Sequence, residues 1–182
     1  MVKSKKIYIV LTYTGTLLSK IIKFSTRGNY CHVSLALDKR LRKMYSFGRI
    51  NPYIPFIGGF VHEGINIGTF KRFKNTITEI YCIEVTNKQY NIIKQEIKNI
   101  KYNKKNYKFN ILGLVLAGIN YKYQKKNTFY CAEFVKYLTN QANIELNLPD
   151  IVKPMDFRYK NNFVYKGLLR KYLEVIKWII RL

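Results

Sequence analysis

The sequence predicts an α+β fold in which helices pack on an antiparallel sheet. Segments with strand patterns fill the first half of the chain, segments with helical patterns fill the second half, and no repeat or linker separates them. Strands followed by helices, rather than the two in alternation, are typical of α+β domains. The 182 residues are enough for one sizeable core, so we predict a single domain over residues 1–182.

The first half of the chain contains five predicted strands. The residues from Ile7 to Thr12 are mostly β-branched or aromatic. Those from His32 to Asp38 alternate between polar and apolar, as in a strand with one buried face. Similar patterns predict the other strands, over Met44–Phe47, Phe60–Ile67 and Ile77–Val85. A short helix is predicted between the first two strands, from Ser19 to Phe24.

The second half begins with three predicted helices. Asn87 is a suitable N-cap for a helix over 88–101, where apolar residues recur at helical spacing. The segment from Phe109 to Ile119 is almost entirely apolar, which favours a buried helix. Thr128 is a suitable N-cap for a helix that runs to about Ala142.

The last predicted helix, over about residues 167–182, is amphipathic. Its apolar residues fall on one face and most of its charged residues on the other. Two interpretations of this helix are open. It can dock on the domain as a terminal helix, or it can bind an anionic membrane surface, because Trp178 and the basic face suit a lipid interface.

The chain is strongly basic, with 33 Lys and Arg against 10 Asp and Glu and a formal net charge of +23. Such a charge attracts anionic partners in a salt-dependent manner. The basic residues are spread along the chain in short runs such as Lys104-Lys105, which is typical of a solvated basic surface. Because no recognised nucleic-acid-binding motif is present, specific nucleic-acid binding is not expected.

Compartment and cofactors are predicted from what the sequence lacks. The apolar run from Ile7 to Leu11 is shorter than the roughly 7–15 residues of a secretory signal, and no stretch approaches the roughly 18 needed to span a membrane. We therefore expect a cytoplasmic protein, with peripheral membrane binding as the alternative. The three cysteines are odd in number and without repeated spacing, which argues against a disulfide framework and a zinc site. No metal and no cofactor is expected.

The cysteines differ in their predicted surroundings. Cys82 lies within an apolar strand and is expected to be a core residue. Cys31 directly precedes His32, and neighbours in a strand point to opposite faces, so the two are not expected to pair. Cys131 lies in the first turn of a predicted helix, where the helix dipole and free backbone N–H groups favour a thiolate. The same N–H groups can form part of an oxyanion hole.

Several segments together resemble a known family. The sequence reads HVS at 32–34 and YCAEFV at 130–135, and further matching stretches are YSFGR at 45–49, GGFV at 58–61, KPMDF at 153–157 and FVYKG at 163–167. These segments resemble, in order, motifs of the circularly permuted NlpC-type cysteine hydrolases. Those proteins are papain-like enzymes in which the histidine comes first and the cysteine last, and the lecithin:retinol acyltransferases are their distant relatives.

The resemblance implies a permuted papain-like fold with a barrel-like antiparallel sheet, and it assigns roles to residues. Cys131 would attack a carbonyl carbon, and His32 would accept the thiol proton and later protonate the leaving group. A third polar residue orients the histidine in such enzymes. Glu63 is preferred for this role because a carboxylate stabilises an imidazolium, and Ser46 is the alternative. Glu133 is expected to be structural because it follows the nucleophile on the same helix.

The sequence therefore predicts a cysteine hydrolase, an amidase or peptidase that acts on a peptide or acylated substrate. Two alternatives remain open. The basic amphipathic tail and the resemblance to acyltransferases favour a lipid-directed thioesterase or acyltransferase at a membrane surface. The high net charge is also compatible with a non-catalytic basic binding module.

Overall fold

The computed structural model describes residues 4–16, 19–20, 23–24, 28–54, 57–158 and 163–181. Within these ranges the fold is α+β, as predicted, with a six-stranded antiparallel sheet and helices packed on it. The strands are β1 (Ser4–Tyr13), β2 (His32–Ala36), β3 (Met44–Arg49), β4 (Gly58–Glu63), β5 (Ile77–Thr86), β6 (Lys108–Phe109), β7 (Thr128–Phe129) and β8 (Phe163–Leu168). Strands β6 and β7 pair only with each other, in parallel, and the other six form the sheet.

The helices are α1 (Gly68–Arg72), α2 (Asn87–Tyr102), α3 (Ile111–Gly118), α4 (Cys131–Gln141) and α5 (Tyr172–Arg181). Short 3-10 turns occur at Lys104–Asn106, Pro154–Phe157 and Leu169–Lys171. Ile21 and Ile22, at the centre of the helix predicted over 19–24, lie outside the described residues, and the residues on either side of them are helical. Among the helices of the described ranges, none has the length and apolar content needed to cross a bilayer.

The sheet is open, so the predicted barrel-like closure is wrong. Its strands lie in the order β4-β3-β2-β1-β5-β8, which makes β4 and β8 the two edges in the described part of the chain. A barrel requires its edge strands to pair with each other. Here helices cover both faces instead, and α5 places Tyr172 and Ile176 against the face opposite α4. The sheet therefore buries its apolar residues without closing.

Strand β1 lies inside the sheet and is buried on both faces. Ile7, Ile9 and Leu11 belong to a core cluster shared with α2 and α4, whereas Tyr8 and Val10 belong to a second cluster shared with α5. Successive side chains of a strand point to opposite faces. A strand that is buried on both faces therefore has a continuous apolar run rather than an alternating pattern.

Helix α2 begins one residue earlier than predicted, and its N-cap is Thr86 rather than Asn87. The Thr86 hydroxyl accepts the backbone N–H of Gln89 at 3.2 Å, and the Gln89 side-chain oxygen accepts the backbone N–H of Thr86 at 2.9 Å. This reciprocal pair is a capping box, which satisfies two backbone donors that asparagine at the next position would leave unpaired.

Helix α4 begins at Cys131, and the predicted N-cap Thr128 is wrong. Thr128 belongs to β7, and its hydroxyl donates to the carbonyl of Lys125 at 2.8 Å. Tyr130 is the N-cap residue, and its backbone N–H donates to the Glu133 carboxylate at 3.1 Å. Cys131 is consequently the first helical residue, where its own backbone N–H has no acceptor within the helix.

Helix α3 is shorter and less buried than predicted. It covers Ile111–Gly118, and Phe109 lies before it in β6. One side of the helix is buried through Leu114 and Ala117, whereas Leu112 is 49% exposed. The uniform apolar sequence could not indicate which side faces the core, because a helix without polar residues has no amphipathic direction.

The predicted C-terminal helix begins at Tyr172, five residues later than expected. Its first predicted residues belong to β8, which pairs with β5 so that Gly167 lies opposite Thr78. Gly167 has φ of +155°, which a helical residue cannot adopt. Tyr172 and Ile176 are buried against the sheet, and Leu182 lies outside the described residues. The helix is therefore docked on the domain, which was one of its two interpretations.

Candidate active site

Cys131 and His32 each begin an element at the same end of the sheet. His32 is the first residue of β2, and Cys131 is the first residue of α4. Helix α4 packs on β2 and β3. Phe134 fixes this packing against Phe47, with ring centroids 5.2 Å apart. Burial of Phe47 and Phe134 thus determines where the N-terminus of α4 lies relative to β2.

A cavity of about 60 Å³ joins the two residues. Its lining includes Cys131, His32, Glu63, Arg49 and Cys31. Cys131, His32 and Glu63, which the resemblance assigned to catalysis, therefore lie in one place, whereas the alternative third residue, Ser46, is not among the lining residues. The cavity is small.

His32 is held by a carboxylate. Its Nε2 lies 3.0 Å from Oε1 and 3.3 Å from Oε2 of Glu63. The Ser34 hydroxyl donates to Oε2 of the same carboxylate at 2.5 Å. The side chains of His32 and Glu63 are only 19% and 12% exposed, so water screens their interaction weakly. Of the two candidates for the third residue, Glu63 is the one that contacts the histidine.

Ser46 has a different role. Its buried hydroxyl donates to the backbone carbonyl of Val33 at 2.8 Å, which ties β3 to β2. Serine satisfies a carbonyl there that an apolar side chain would leave without this partner. Ser46 is thus engaged in holding two strands together.

Gly48 allows the carboxylate to reach the histidine. Glu63 is on β4 and His32 is on β2, with β3 between them in the sheet. A Cβ at Gly48 would lie 3.2 Å from Cε1 of His32 and 3.9 Å from Oε1 of Glu63. The imidazole and the carboxylate therefore meet above a strand position that has no side chain.

The charge on His32 follows from these contacts. Burial by itself would lower the pKa of His32. The negative charge of Glu63, hydrogen bonding to Cys131 and Glu63, and the charge of Cys131 outweigh burial and raise the pKa from 6.5 to about 10. The imidazole is therefore protonated at neutral pH. A cationic imidazole therefore lies in the same cavity as the Cys131 sulfur.

The Glu63 carboxylate accounts for one of the two nitrogens of the imidazole. Nε2 lies against Glu63. The other nitrogen, Nδ1, is then the one available for hydrogen bonding to the Cys131 thiol. This division matches a general acid–base histidine whose far nitrogen is oriented by a carboxylate.

The other cysteines are poor nucleophiles. The Cys31 thiol donates to the carbonyl of Thr12 at 3.7 Å. Burial, and next the neighbouring Cys131, raise the pKa of Cys31 to about 12, which keeps it a protonated thiol at neutral pH. Cys82 is partly buried and packs against the second core cluster, and burial raises its pKa as well. Only Cys131 combines a helix N-terminus with a neighbouring imidazolium.

Glu133 is structural, as expected. Its carboxylate accepts the Tyr130 backbone N–H and lies 3.4 Å from the Asn110 side-chain amide. Burial raises the pKa of Glu133 to about 7, in spite of these hydrogen bonds. Glu133 borders a separate, larger cavity of about 320 Å³ whose lining has neither histidine nor cysteine.

Three residues of the site were not singled out as functional from the sequence. Ser34 and Gly48 position the Glu63 carboxylate and the imidazole, and Arg49 lines the cavity. All three lie within the segments HVS and YSFGR, but only the strand register shows that they share a site. Among the described residues, no three side chains of His, Cys, Asp or Glu converge as metal ligands would.

Comparison with protein-family models, curated proteins and solved structures finds no match to this chain.

Proposed function

We propose that the protein is a thiol-dependent acyl-transfer enzyme, a cysteine hydrolase that cleaves amide bonds in a peptide or acylated substrate. The observation that supports the proposal most is the His32 imidazole, which has Glu63 on one nitrogen and lines the same cavity as Cys131. The nucleophile at a helix N-terminus and the histidine at the start of a strand also suit a permuted papain-like fold, which belongs to the same proposal.

In the proposed reaction the Cys131 thiolate attacks the carbonyl carbon, and a C–S bond forms. Backbone N–H groups in the first turn of α4 are available to stabilise the oxyanion. The His32 imidazolium then gives its proton to the leaving nitrogen, and the C–N bond breaks. Water then attacks the thioester carbonyl, and neutral His32 takes a proton from that water. When the C–S bond breaks, the acid product is released and the Cys131 thiolate and His32 imidazolium are restored.

Acylation itself prepares His32 for the second half of this cycle. The charge of Cys131 is one cause of the raised pKa of His32. A thioester carries no charge, so acylation removes this contribution and lowers the pKa of His32. The histidine is then a better base for water than it would be beside a thiolate.

Substrate panels test the proposal. Fluorogenic amides, esters and thioesters would be incubated with the wild type and with Cys131→Ala, and the control is Cys82→Ala. We expect hydrolysis that Cys131→Ala abolishes and Cys82→Ala retains. Two results together would overturn the proposed function. One is equal hydrolysis rates for wild type and Cys131→Ala over the whole panel, and the other is a Cys131 that reacts with alkylating reagents no faster than Cys31.

A lipid-directed thioesterase or acyltransferase is the second candidate. The loop after β3 favours it, because Ile50 is 59% exposed and Tyr53 is 73% exposed beside the cavity residue Arg49. Exposed apolar residues on a basic protein suit an anionic bilayer. Co-sedimentation with vesicles that contain phosphatidylserine tests this candidate, and absence of binding at low salt would argue against it.

A further inference from the structure

Arg49 places a cation in the wall of the cavity that holds Cys131. It is the last residue of β3, two positions after Phe47. Its side chain is partly buried and lines the cavity together with Cys131 and His32.

The Arg49 guanidinium has no anionic partner of its own among the described residues. Four ion pairs are found there, and Arg49 takes part in none of them. By contrast, Arg158 pairs with Glu79 at 2.9 Å. The charge of Glu63 acts on Arg49, but the carboxylate oxygens of Glu63 are engaged by His32 and Ser34.

Neighbouring groups hold the guanidinium in place without neutralising it. Its central carbon lies 5.4 Å from the ring centroid of Phe73. Arg72 lies near the same ring at 5.1 Å and donates to the carbonyl of Pro52 at 2.9 Å. Burial, and also the charge of Arg72, lower the pKa of Arg49, so its surroundings disfavour a cation. A partly buried, oriented and unpaired guanidinium is suited to bind an anion from outside the chain.

We propose that Arg49 binds an oxyanion of the substrate, a carboxylate or a phosphate, close to the bond that Cys131 attacks. This inference rests on the proposed function and adds the substrate class to it. The planar guanidinium offers five N–H donors and can hold two oxygens of one anion at once. Because Arg49 and Cys131 line the same small cavity, we expect few atoms between the anion and the reacting carbonyl.

Two alkylating reagents of almost the same shape test the proposal. Iodoacetate carries a carboxylate and iodoacetamide a neutral amide, and each loses iodide when the Cys131 sulfur forms the new C–S bond. The rates at Cys131 would be measured by mass spectrometry in wild type, Arg49→Gln, Arg49→Lys and the control Arg40→Gln. Arg40 is exposed, so Arg40→Gln removes the same charge outside the cavity. The ratio of the two rates cancels any change in the thiolate fraction.

We expect the iodoacetate-to-iodoacetamide ratio at Cys131 to fall about fivefold in Arg49→Gln, as for loss of one partly exposed ion pair. In Arg49→Lys this ratio should fall less, and in Arg40→Gln it should stay close to the wild-type value. An unchanged ratio in folded Arg49→Gln would overturn the proposal. So would an equal fall in Arg40→Gln, because that result would assign the preference to the net charge.

Protection separates carboxylate from phosphate. Acetate or inorganic phosphate would be added during alkylation by iodoacetamide, and the anion that protects Cys131 in wild type but not in Arg49→Gln identifies the group. Failure of both anions to protect contradicts the inference.

If Cys131 reacts no faster than Cys31 with either reagent, the proposed function fails. Anion binding at Arg49 would then be measured independently of Cys131, by NMR. The Arg49 Nε–H resonance would be titrated with acetate and phosphate. A saturable shift supports the anion site, and no shift overturns it.

Discussion

Glu63 and His32 form a hydrogen-bonded pair at 3.0 Å across a strand to which neither belongs. The contact depends on the register of three strands and on the absence of a side chain at Gly48. It also depends on Ser34, whose hydroxyl holds the second carboxylate oxygen. The expected properties of the site follow from this pair and can be measured one at a time.

Loss of the imidazole should slow alkylation of Cys131. In His32→Ala the Cys131 sulfur loses its neighbouring cation, so we expect its rate of reaction with iodoacetamide at pH 6.5 to fall about 10- to 100-fold. Mass spectrometry at each cysteine gives the rates, and Cys82 serves as the internal control. An alkylation rate at Cys131 that is unchanged in His32→Ala would contradict the assignment of Cys131 and His32 as a reactive pair.

Loss of the Glu63 charge should lower the pKa of His32. The carboxylate favours the imidazolium while burial disfavours it, so Glu63→Gln should reduce the pKa from about 10 by roughly 1–3 pH units. Titration of the His32 ring resonance by NMR measures the change. Glu84→Gln is the matched control, because Glu84 forms an exposed ion pair with Lys6. An unchanged midpoint in Glu63→Gln would show that another group sets the charge.

The same pair should make stability depend on pH. The folded pKa of His32 lies above its unfolded value of 6.5. Its stabilising contribution is therefore fully present below pH 6.5 and is lost as the pH rises through about 10. Urea unfolding between pH 6 and 10 should show this loss in the wild type and a weaker one in Glu63→Gln. Parallel curves for the two proteins would contradict the linkage.

A methyl group at Gly48 should disturb the pair without unfolding the protein. Its Cβ would lie 3.2 Å from Cε1 of His32. We expect Gly48→Ala to reduce the alkylation rate of Cys131 about tenfold by displacing the ring. Gly59→Ala is a matched control on the paired strand, because its Cβ would meet the exposed Ile50 side chain at 3.1 Å. Equal rates in the two variants would remove Gly48 from the site.

Glu133 should destabilise the fold as the pH rises. Its folded pKa of about 7 is above the unfolded value of 4.5, so the stability present below pH 4.5 is lost as the pH rises through 7. The glutamine in Glu133→Gln can still accept the Tyr130 N–H. We expect the free energy of unfolding of this variant to exceed that of the wild type by about 1–2 kcal/mol at pH 8 but not at pH 4.5. The exposed Glu145→Gln is the control. A gain that does not vary with pH would exclude titration as its cause.

Docking of α5 can be tested by stability. Ile176 is 3% exposed, and its truncation to alanine should lower the free energy of unfolding by about 2–4 kcal/mol. Trp178 is 67% exposed, and Trp178→Ala should change it by less than about 0.5 kcal/mol. Urea unfolding measures both variants. The reverse order would mean that the helix leaves the sheet in solution.

The residues that the sequence could predict are those whose chemistry is local. Strand and helix patterns identified the α+β class and placed Cys131 in the first turn of a helix, although the N-cap is Tyr130 rather than Thr128. The chemistry of a carboxylate favoured Glu63 over Ser46 as the partner of His32, but the contact itself could not be predicted, because it depends on the register of three paired strands. The open sheet was not predicted for a similar reason. Closure depends on whether the two edge strands pair with each other, and no local sequence pattern indicates that pairing.

The residues of the site come from distant parts of the chain. His32 and Glu63 belong to strands in the first 63 residues, whereas Cys131 lies on a helix that can dock only after the segment between Glu63 and Cys131 has been made. During synthesis Cys131 would therefore have no imidazole beside it until α4 packs on β2. The proposed activity thus depends on completed folding, because a newly made or partly unfolded chain lacks the assembled pair of Cys131 and His32.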